Sequence, residues 1–265
     1  REGLGGSIKL MVSGGSALQE RLLKVFWAAG IPIYEGYGLT ETSPVIAVND
    51  PVNVKRVKFG TVGPILEGVE LKIADDGEIL CKGPNVMLGY YKDPEQTKEV
   101  IDNKGWLHTG DIGVMVDNLF LKITDRKKEM FKTSSGRYIA PQMIENILKE
   151  SNLIEQAMVV GENEKFASAL ISPNFNYVHF YASKHKLHYR DNEELIGIPE
   201  IIKKMQEEVN LANKRLGQTE QIKRFRMVCD EWSPQTGELS PTLKLKRKVI
   251  YEKYHNILKE IYKHD

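Results

Sequence analysis

Residues 8–34 constrain the fold most. Ile8 to Val12 is a short apolar run that ends in Ser13-Gly14-Gly15-Ser16. After it Leu18, Leu22, Leu23, Phe26 and Ala29 recur at helical spacing, Gly30 and Pro32 stop the helix, and Ile31 to Tyr34 reads as a second strand. Ser16 with Gln19 has the spacing of a capping box and sets the expected helix start. Strand, helix and strand in this order make a βαβ unit, which places both loops on one edge of a parallel sheet, where α/β proteins bind ligands. The chain therefore needs an α/β layer. By themselves Gly14 and Gly15 are read as a tight turn.

Residues 57–124 change character. Val69, Leu71 and Ile73 alternate, Asp75-Asp76-Gly77 signals a hairpin, and Glu78-Ile79-Leu80-Cys81 resumes a strand. Short strands with glycine-rich turns predict a small sheet or barrel appended to the α/β layer. Asp93-Pro94-Glu95 opens a short helix. Tyr90-Tyr91-Lys92 is read as ordinary packing plus a solvated lysine. From Gly110 to Pro141 two apolar segments meet at Asp117-Asn118, a charged cluster follows at 125–129, and Thr133-Ser134-Ser135-Gly136 forms a small-residue turn. Beyond it a helix is expected from Pro141 to Lys149 and a hairpin around Gly161-Glu162-Asn163. Helices follow over 174–214, then a strand from Gln221 to Cys229, and a closing helix with Ile250, Tyr254, Ile257, Leu258 and Ile261 on its apolar face.

Length fixes the scale: 265 residues predict about two domains. No apolar run approaches the ~20 residues of a membrane span. Lysine and arginine total 37 against 36 acids, so no global field favours nucleic acid. Cys81 and Cys229 show neither metal-ligand spacing nor a disulfide framework, which suits a reducing compartment. No stretch reads as a signal or transit peptide. The expected location is the cytoplasm, with peripheral attachment to a membrane left open.

Four motifs stand in order: Tyr34-Glu35-Gly36-Tyr37-Gly38-Leu39-Thr40-Glu41, Trp106-Leu107-His108-Thr109-Gly110-Asp111, Asp125-Arg126-Lys127-Lys128 and Ser240-Pro241-Thr242-Leu243-Lys244. Together they resemble the AMP-forming acyl-CoA synthetases of the adenylate-forming superfamily, most of all the long-chain fatty acid CoA ligases. The resemblance implies an α/β plus α+β chain. Residues 1–125 would be the C-terminal part of a large AMP-binding domain, α/β to about residue 50 and β-rich after it, and 126–265 a small mobile lid domain. The family's Ser/Thr/Gly-rich phosphate loop has no counterpart here, so the chain is expected to be a C-terminal portion that is inactive alone.

The resemblance also assigns roles. Gly14, Gly15, Gly36 and Tyr37 would lie against the adenine, Thr40 would meet phosphate, and Glu41 would serve Mg²⁺, a cation that takes oxygen ligands. Asp111 would accept from the ribose hydroxyls, and Arg126 would donate to ribose or phosphate oxygens. Lys128 takes the hinge position, and Ser134, Ser135 and Gly136 would line the path of the CoA pantetheine. Lys244 matches a late catalytic lysine that stabilises charge during adenylation, although Leu243 stands where relatives usually carry glycine. Lys246, Arg247 and Lys248 are read as an ordinary solvated helix start. His108 is set aside as a catalyst, because this chemistry stabilises a charged oxygen more than it removes a proton. The implied substrates are a fatty acid, ATP and CoA, and the implied product is acyl-CoA formed through an acyl-adenylate. Two alternatives stay open: an adenylation domain loading a carrier-protein thiol, and a non-catalytic nucleotide-binding module. RNA or anionic lipid at 244–248 is weighed and set low on net charge.

Overall fold

Strand β1 (Met11–Ser13) pairs in parallel with β2 (Ile33–Gly38) across helix α1 (Glu20–Ala28), in a computed structural model that describes residues 2–263. The helix begins later than the sequence predicts. Gly15 takes φ +81° and turns the chain, Gln19 stays extended as the N-cap, and no side chain caps the helix, so the expected capping box does not form. Its end follows the sequence closely. Gly30 adopts φ +74°, its amide bonds to the Trp27 carbonyl, and the Ile31 amide bonds to that of Phe26. These are the two reversed bonds of a glycine-terminated helix.

Residues 35–38, which follow the expected strand end at Tyr34, are strand as well. β2 continues to Gly38 because β3 (Val45–Val48) pairs with it antiparallel, Gly36 opposite Val48 and Tyr37 opposite Ala47. A Cβ on Gly38 would lie 1.7 Å from the Pro44 carbonyl oxygen, so only glycine lets the two strands close. Next comes an antiparallel sheet in the order β4 (Glu70–Ile73), β5 (Glu78–Lys82), β6 (Leu107–Val116), β7 (Phe120–Arg126). Helix α2 (Pro94–Val100) sits between β5 and β6 in the chain, capped by the Asp93 side chain on the Gln96 amide. The β6–β7 turn holds Asp117 and Asn118 at φ +51° and +53°, a hairpin geometry those residue types tolerate. Val62 and Leu121 tie the preceding segment to β7 through backbone bonds, and Ala47, Ile79 and Leu121 are fully buried together.

The chain forms two compact units, 1–128 and 129–265. The division falls after the expected 125/126 boundary because β7 runs through Arg126 and the Lys127 amide still bonds to Gly110.

In the second unit β8 (Phe131–Lys132) and β9 (Tyr138–Ile139) flank the turn at Gly136, whose φ is +77°. After α3 (Pro141–Leu148), β10 (Ile154–Val160) and β11 (Ser168–Pro173) form the expected hairpin. Then come α4 (Phe175–Lys184), α5 (Asn192–Gly197) and α6 (Pro199–Asn213), and β12 (Arg224–Met227) joins β11 in parallel. Both faces of this sheet are covered. Ala157, Val159, Ala169 and Ile171 pack with Ile144 and Leu148 of α3 and Met205 and Val209 of α6. On the opposite face Met158 and Leu170 pack with Trp232, Ile250, Leu258 and Ile261. The period-two alternation thus sorts β10 and β11 between two apolar layers. The expected closing helix is two, α7 (Arg247–Lys253) and α8 (His255–Tyr262). They part at Tyr254, whose hydroxyl is held between the Trp232 indole N–H and the Asp230 carboxylate. Among the described residues no helix is long and apolar enough to cross a membrane.

Candidate functional site

Strands β2, β6 and β7 bring three of the expected residues into contact. Asp111 and Arg126 face each other across the β6–β7 ladder, with Arg126 Nε 3.1 Å from Asp111 Oδ1. The Tyr37 hydroxyl, from β2, donates to Asp111 Oδ2 over 2.7 Å. The Asp111 side chain is 4% exposed and that of Arg126 51%, so a buried carboxylate is steered from its open side by a guanidinium. Burial and the Asp111 charge hold the Tyr37 phenol well above its usual range, which keeps it a donor. Gly14 lies close to this group: a Cβ on it would be 3.6 Å from the Gly36 carbonyl oxygen. Gly15 is exposed at the turn beside it. A carboxylate has about four acceptor positions, so Asp111 can take several donors at once.

Thr40 and Glu41 lie in a single 3₁₀ turn, Thr40–Thr42, that follows β2. Thr42 builds the turn by accepting from the Leu39 amide and donating to the Pro44 carbonyl, which leaves Thr40 exposed. Glu41 Oε1 accepts from the Tyr90 hydroxyl at 2.8 Å, and the Glu41 carbonyl accepts from the Met87 amide. Tyr90 therefore orients Glu41. Tyr91 does not pack as expected; it is 88% exposed, with Lys92 Nζ 5.3 Å from its ring centre. Among the described residues no three His, Cys, Asp or Glu side chains form a metal-binding group. One carboxylate at Glu41 nevertheless suits Mg²⁺, which takes its remaining ligands from phosphate oxygens and water.

Glu78 is a residue that the sequence reading passed over as an ordinary strand position. It is buried, its Oε1 accepts from the Gly110 amide, and its Oε2 lies 2.8 Å from Lys127 Nζ and 3.0 Å from His108 Nδ1. Burial works against its charge, but Lys127 and His108 outweigh it and hold the carboxyl below its usual range. Glu78 thus braces the residue before Asp111 and the residue after Arg126. His108 is occupied with this brace. Glu35, also buried, is pushed up to about 7 by desolvation.

Lys128 is exposed and is the last residue of the first unit. In the second unit Ser134, Ser135 and Gly136 are exposed at the β8–β9 turn, where the Ser134 amide bonds to the Glu164 carbonyl. Lys244 is exposed on a closed loop. Its amide bonds to Ser240 Oγ, its carbonyl accepts from the Ser240 amide, and Leu239 bridges Leu245. Leu243 takes φ +60°, a left-handed conformation that glycine adopts without cost. A backbone of this kind before Lys244 supports matching it to a position where glycine is usual.

Lys246 and Lys248 are exposed as expected, but Arg247 is not solvated. It donates from Nη1 and Nη2 to both carboxylate oxygens of buried Glu145, at 2.7 and 2.8 Å, and from Nε to Glu129 at 2.8 Å. Burial acts against the guanidinium charge; the two carboxylates more than offset it and hold its proton above the ordinary arginine range. The sequence carried one signal for this. Glu145 stands four residues after Pro141 and three before Leu148, on the buried face of α3, where an acid needs a cationic partner.

The family described as AMP-binding enzyme matches residues 1–91, and its C-terminal domain matches 129–265, the whole of the second unit. Long-chain-fatty-acid–CoA ligase FadD15 of Mycobacterium tuberculosis is 38% identical over 99% of this chain and 43% of its own length. Long-chain-fatty-acid–CoA ligase 6 of Rattus norvegicus is 36% identical over 98% of this chain and 39% of its own. The chain thus spans less than half the length of these curated relatives. Two solved structures share the fold. The adenylation domain of a carboxylate reductase from Mycobacterium chelonae superposes with TM-score 0.72 at 23% identity, over 95% of this chain and 38% of that one. The o-succinylbenzoate CoA synthetase of Bacillus subtilis, in complex with ATP and magnesium, superposes with TM-score 0.66 at 24% identity, over 92% and 46%. With its C-terminal domain matched over more than half of the residues, the chain belongs to the AMP-binding enzyme family, within the adenylate-forming superfamily.

Proposed function

We propose that this chain supplies the sugar-holding strands and the small mobile unit of an AMP-forming long-chain fatty acid CoA ligase. The carrying observation is the buried Asp111 carboxylate fixed by Tyr37 and Arg126 from neighbouring strands. It is a pre-oriented acceptor for paired ribose hydroxyls, and Arg126 keeps an open side for phosphate. The names of the curated relatives support the long-chain acid.

In the first step a carboxylate oxygen attacks the α-phosphorus of ATP, the bond to pyrophosphate breaks, and an acyl-adenylate forms. Lys244 holds a positive charge where negative charge gathers on the α-phosphate, and Thr40 donates its hydroxyl to phosphate. Magnesium supplies charge neutralisation on the phosphates when bound; Glu41, oriented by Tyr90, is the residue that would hold it. In the second step the CoA sulfur attacks the acyl carbon, AMP leaves on its phosphate oxygen, and the thiol proton passes to solvent. Ser134, Ser135 and Gly136 offer small side chains and exposed backbone to the thin pantetheine arm. Rotation at Lys128 lets one small unit serve the two steps in turn.

The test uses the full-length protein. Lys244→Ala should lower acid-dependent exchange between pyrophosphate and ATP by about 10²–10³-fold, while acyl-CoA formation from supplied acyl-AMP stays within about twofold. Equal loss in both assays would remove Lys244 from the adenylation step. Lys128→Pro should separate the two activities as well; normal rates in both would refute the hinge.

A further inference from the structure

We infer that Arg247, Glu145 and Glu129 form a clamp that positions Lys244 for adenylation, an inference that rests on the proposed role of Lys244. The loop 239–245 is closed on itself by backbone bonds and a single bridge, and Lys244 lies on its return arm. Such a loop has a defined shape, but its aim depends on what holds its base. One side of the base is Glu238, fully buried, whose carbonyl accepts from the Lys246 amide and whose carboxylate lies 2.7 Å from Lys253 Nζ. The other side is α7, which starts at Arg247, three residues after Lys244.

Helix α7 has only seven residues and no side-chain cap at Lys246, too short to fix its own direction. Arg247 fixes it. The planar guanidinium meets the Glu145 carboxylate with two parallel bonds and Glu129 with a third, which sets angle as well as distance. Glu145 cannot drift, because it is buried on α3 and its Oε1 also accepts from the Val159 amide at 2.8 Å. Glu129 is in turn held by the Gln142 side-chain amide at 2.9 Å. Glu129 is also the residue immediately after Lys128, so the clamp reaches from the Lys244 loop to the start of the unit. The same three residues thus fix where Lys244 points and where the polypeptide enters from the hinge. They touch no substrate; they act through Lys244.

The experiment uses the full-length protein with Glu145→Gln, Arg247→Lys, Glu129→Gln and Lys244→Ala. Each is assayed for pyrophosphate exchange and for acyl-CoA formation from supplied acyl-AMP, with melting temperature recorded. Arg247→Lys keeps the charge and loses the fork, so it should lower kcat for exchange by about 10–100-fold, as a misplacement of about 1 Å does, with KM for ATP within about twofold. Glu145→Gln should do the same, and Glu129→Gln should give a smaller loss with the same split. The thioester step should stay near normal in all of them. Normal exchange in Arg247→Lys, or equal loss in both steps, overturns the clamp in favour of a stabilising role alone. If Glu145→Gln does not fold, Glu129→Gln decides: a split supports the clamp and no split overturns it. Lys244→Ala separates the two levels of the argument. Loss of exchange there with normal clamp variants sinks only this inference, whereas normal exchange in Lys244→Ala sinks the functional reading and the clamp with it.

Discussion

Buried charge is used in three different ways in this chain, and each gives a different response to substitution. Asp111 is buried but paired with Arg126 and Tyr37, so its charge has a purpose and a partner. Asp111→Asn should keep the fold while weakening nucleotide binding, measured by titration with ATP. Glu35 is buried, with a backbone hydrogen bond from Leu18 that opposes its shift only in part. Its folded pKa of about 7 lies above the ordinary 4.5, so the folded state holds a proton that the unfolded state has released between these values. Stability therefore falls as pH rises from 4.5 to 7, by up to about 3 kcal/mol. Glu35→Gln should abolish that slope in urea melts at pH 5 and pH 8 and be the more stable form at pH 8; an unchanged slope would show that Glu35 ionises freely. The Glu145–Arg247 pair is the third case. Breaking it by Arg247→Met strands a buried carboxylate and should destabilise the chain by about 3–5 kcal/mol, whereas an exposed pair such as Lys98–Glu95 should contribute less than about 1 kcal/mol.

Among the elements, the β2–β3 hairpin and the Lys244 loop each depend on one backbone position. Gly38→Ala would push a methyl into the Pro44 carbonyl and should cost about 1–3 kcal/mol while loosening the turn that carries Thr40 and Glu41. Leu243→Gly should do the opposite: it relieves a left-handed leucine and should raise stability by up to about 1 kcal/mol, read from melting temperature. Most elements were legible in the sequence because their signals are local. Gly30 ended α1, Asp117-Asn118 turned β6 into β7, and Gly136 turned β8 into β9 at the expected places. What was not legible depended on partners distant in sequence. β2 ran on to Gly38 only because β3 returned beside it. The closing helix is interrupted at Tyr254, whose hydroxyl meets Asp230 and Trp232. Arg247 reads as solvated in sequence because its partner Glu145 stands 102 residues away. The candidate site residues rest on motif resemblance, while Glu78 and Tyr90, which brace and orient Asp111's neighbours and Glu41, belong to none of the expected roles.

At the scale of the molecule, two units with their own apolar cores meet in sequence at Lys128 and Glu129. One carries the strands that fix Asp111, Arg126 and Tyr37, and the other carries Lys244 and the 134–136 turn. Division of labour between a nucleotide-holding unit and a mobile unit is the proposed account of how one protein runs two successive reactions. The most direct test supplies the full-length protein with Mg-ATP, CoA and carboxylic acids from acetate to palmitate, and measures acyl-CoA and AMP together. The account predicts acyl-CoA and AMP in equal amounts, with turnover favouring the long acids. Pyrophosphate release without acyl-CoA would contradict it by showing that the thiol acceptor is something other than CoA, and no product with any acid would contradict it outright.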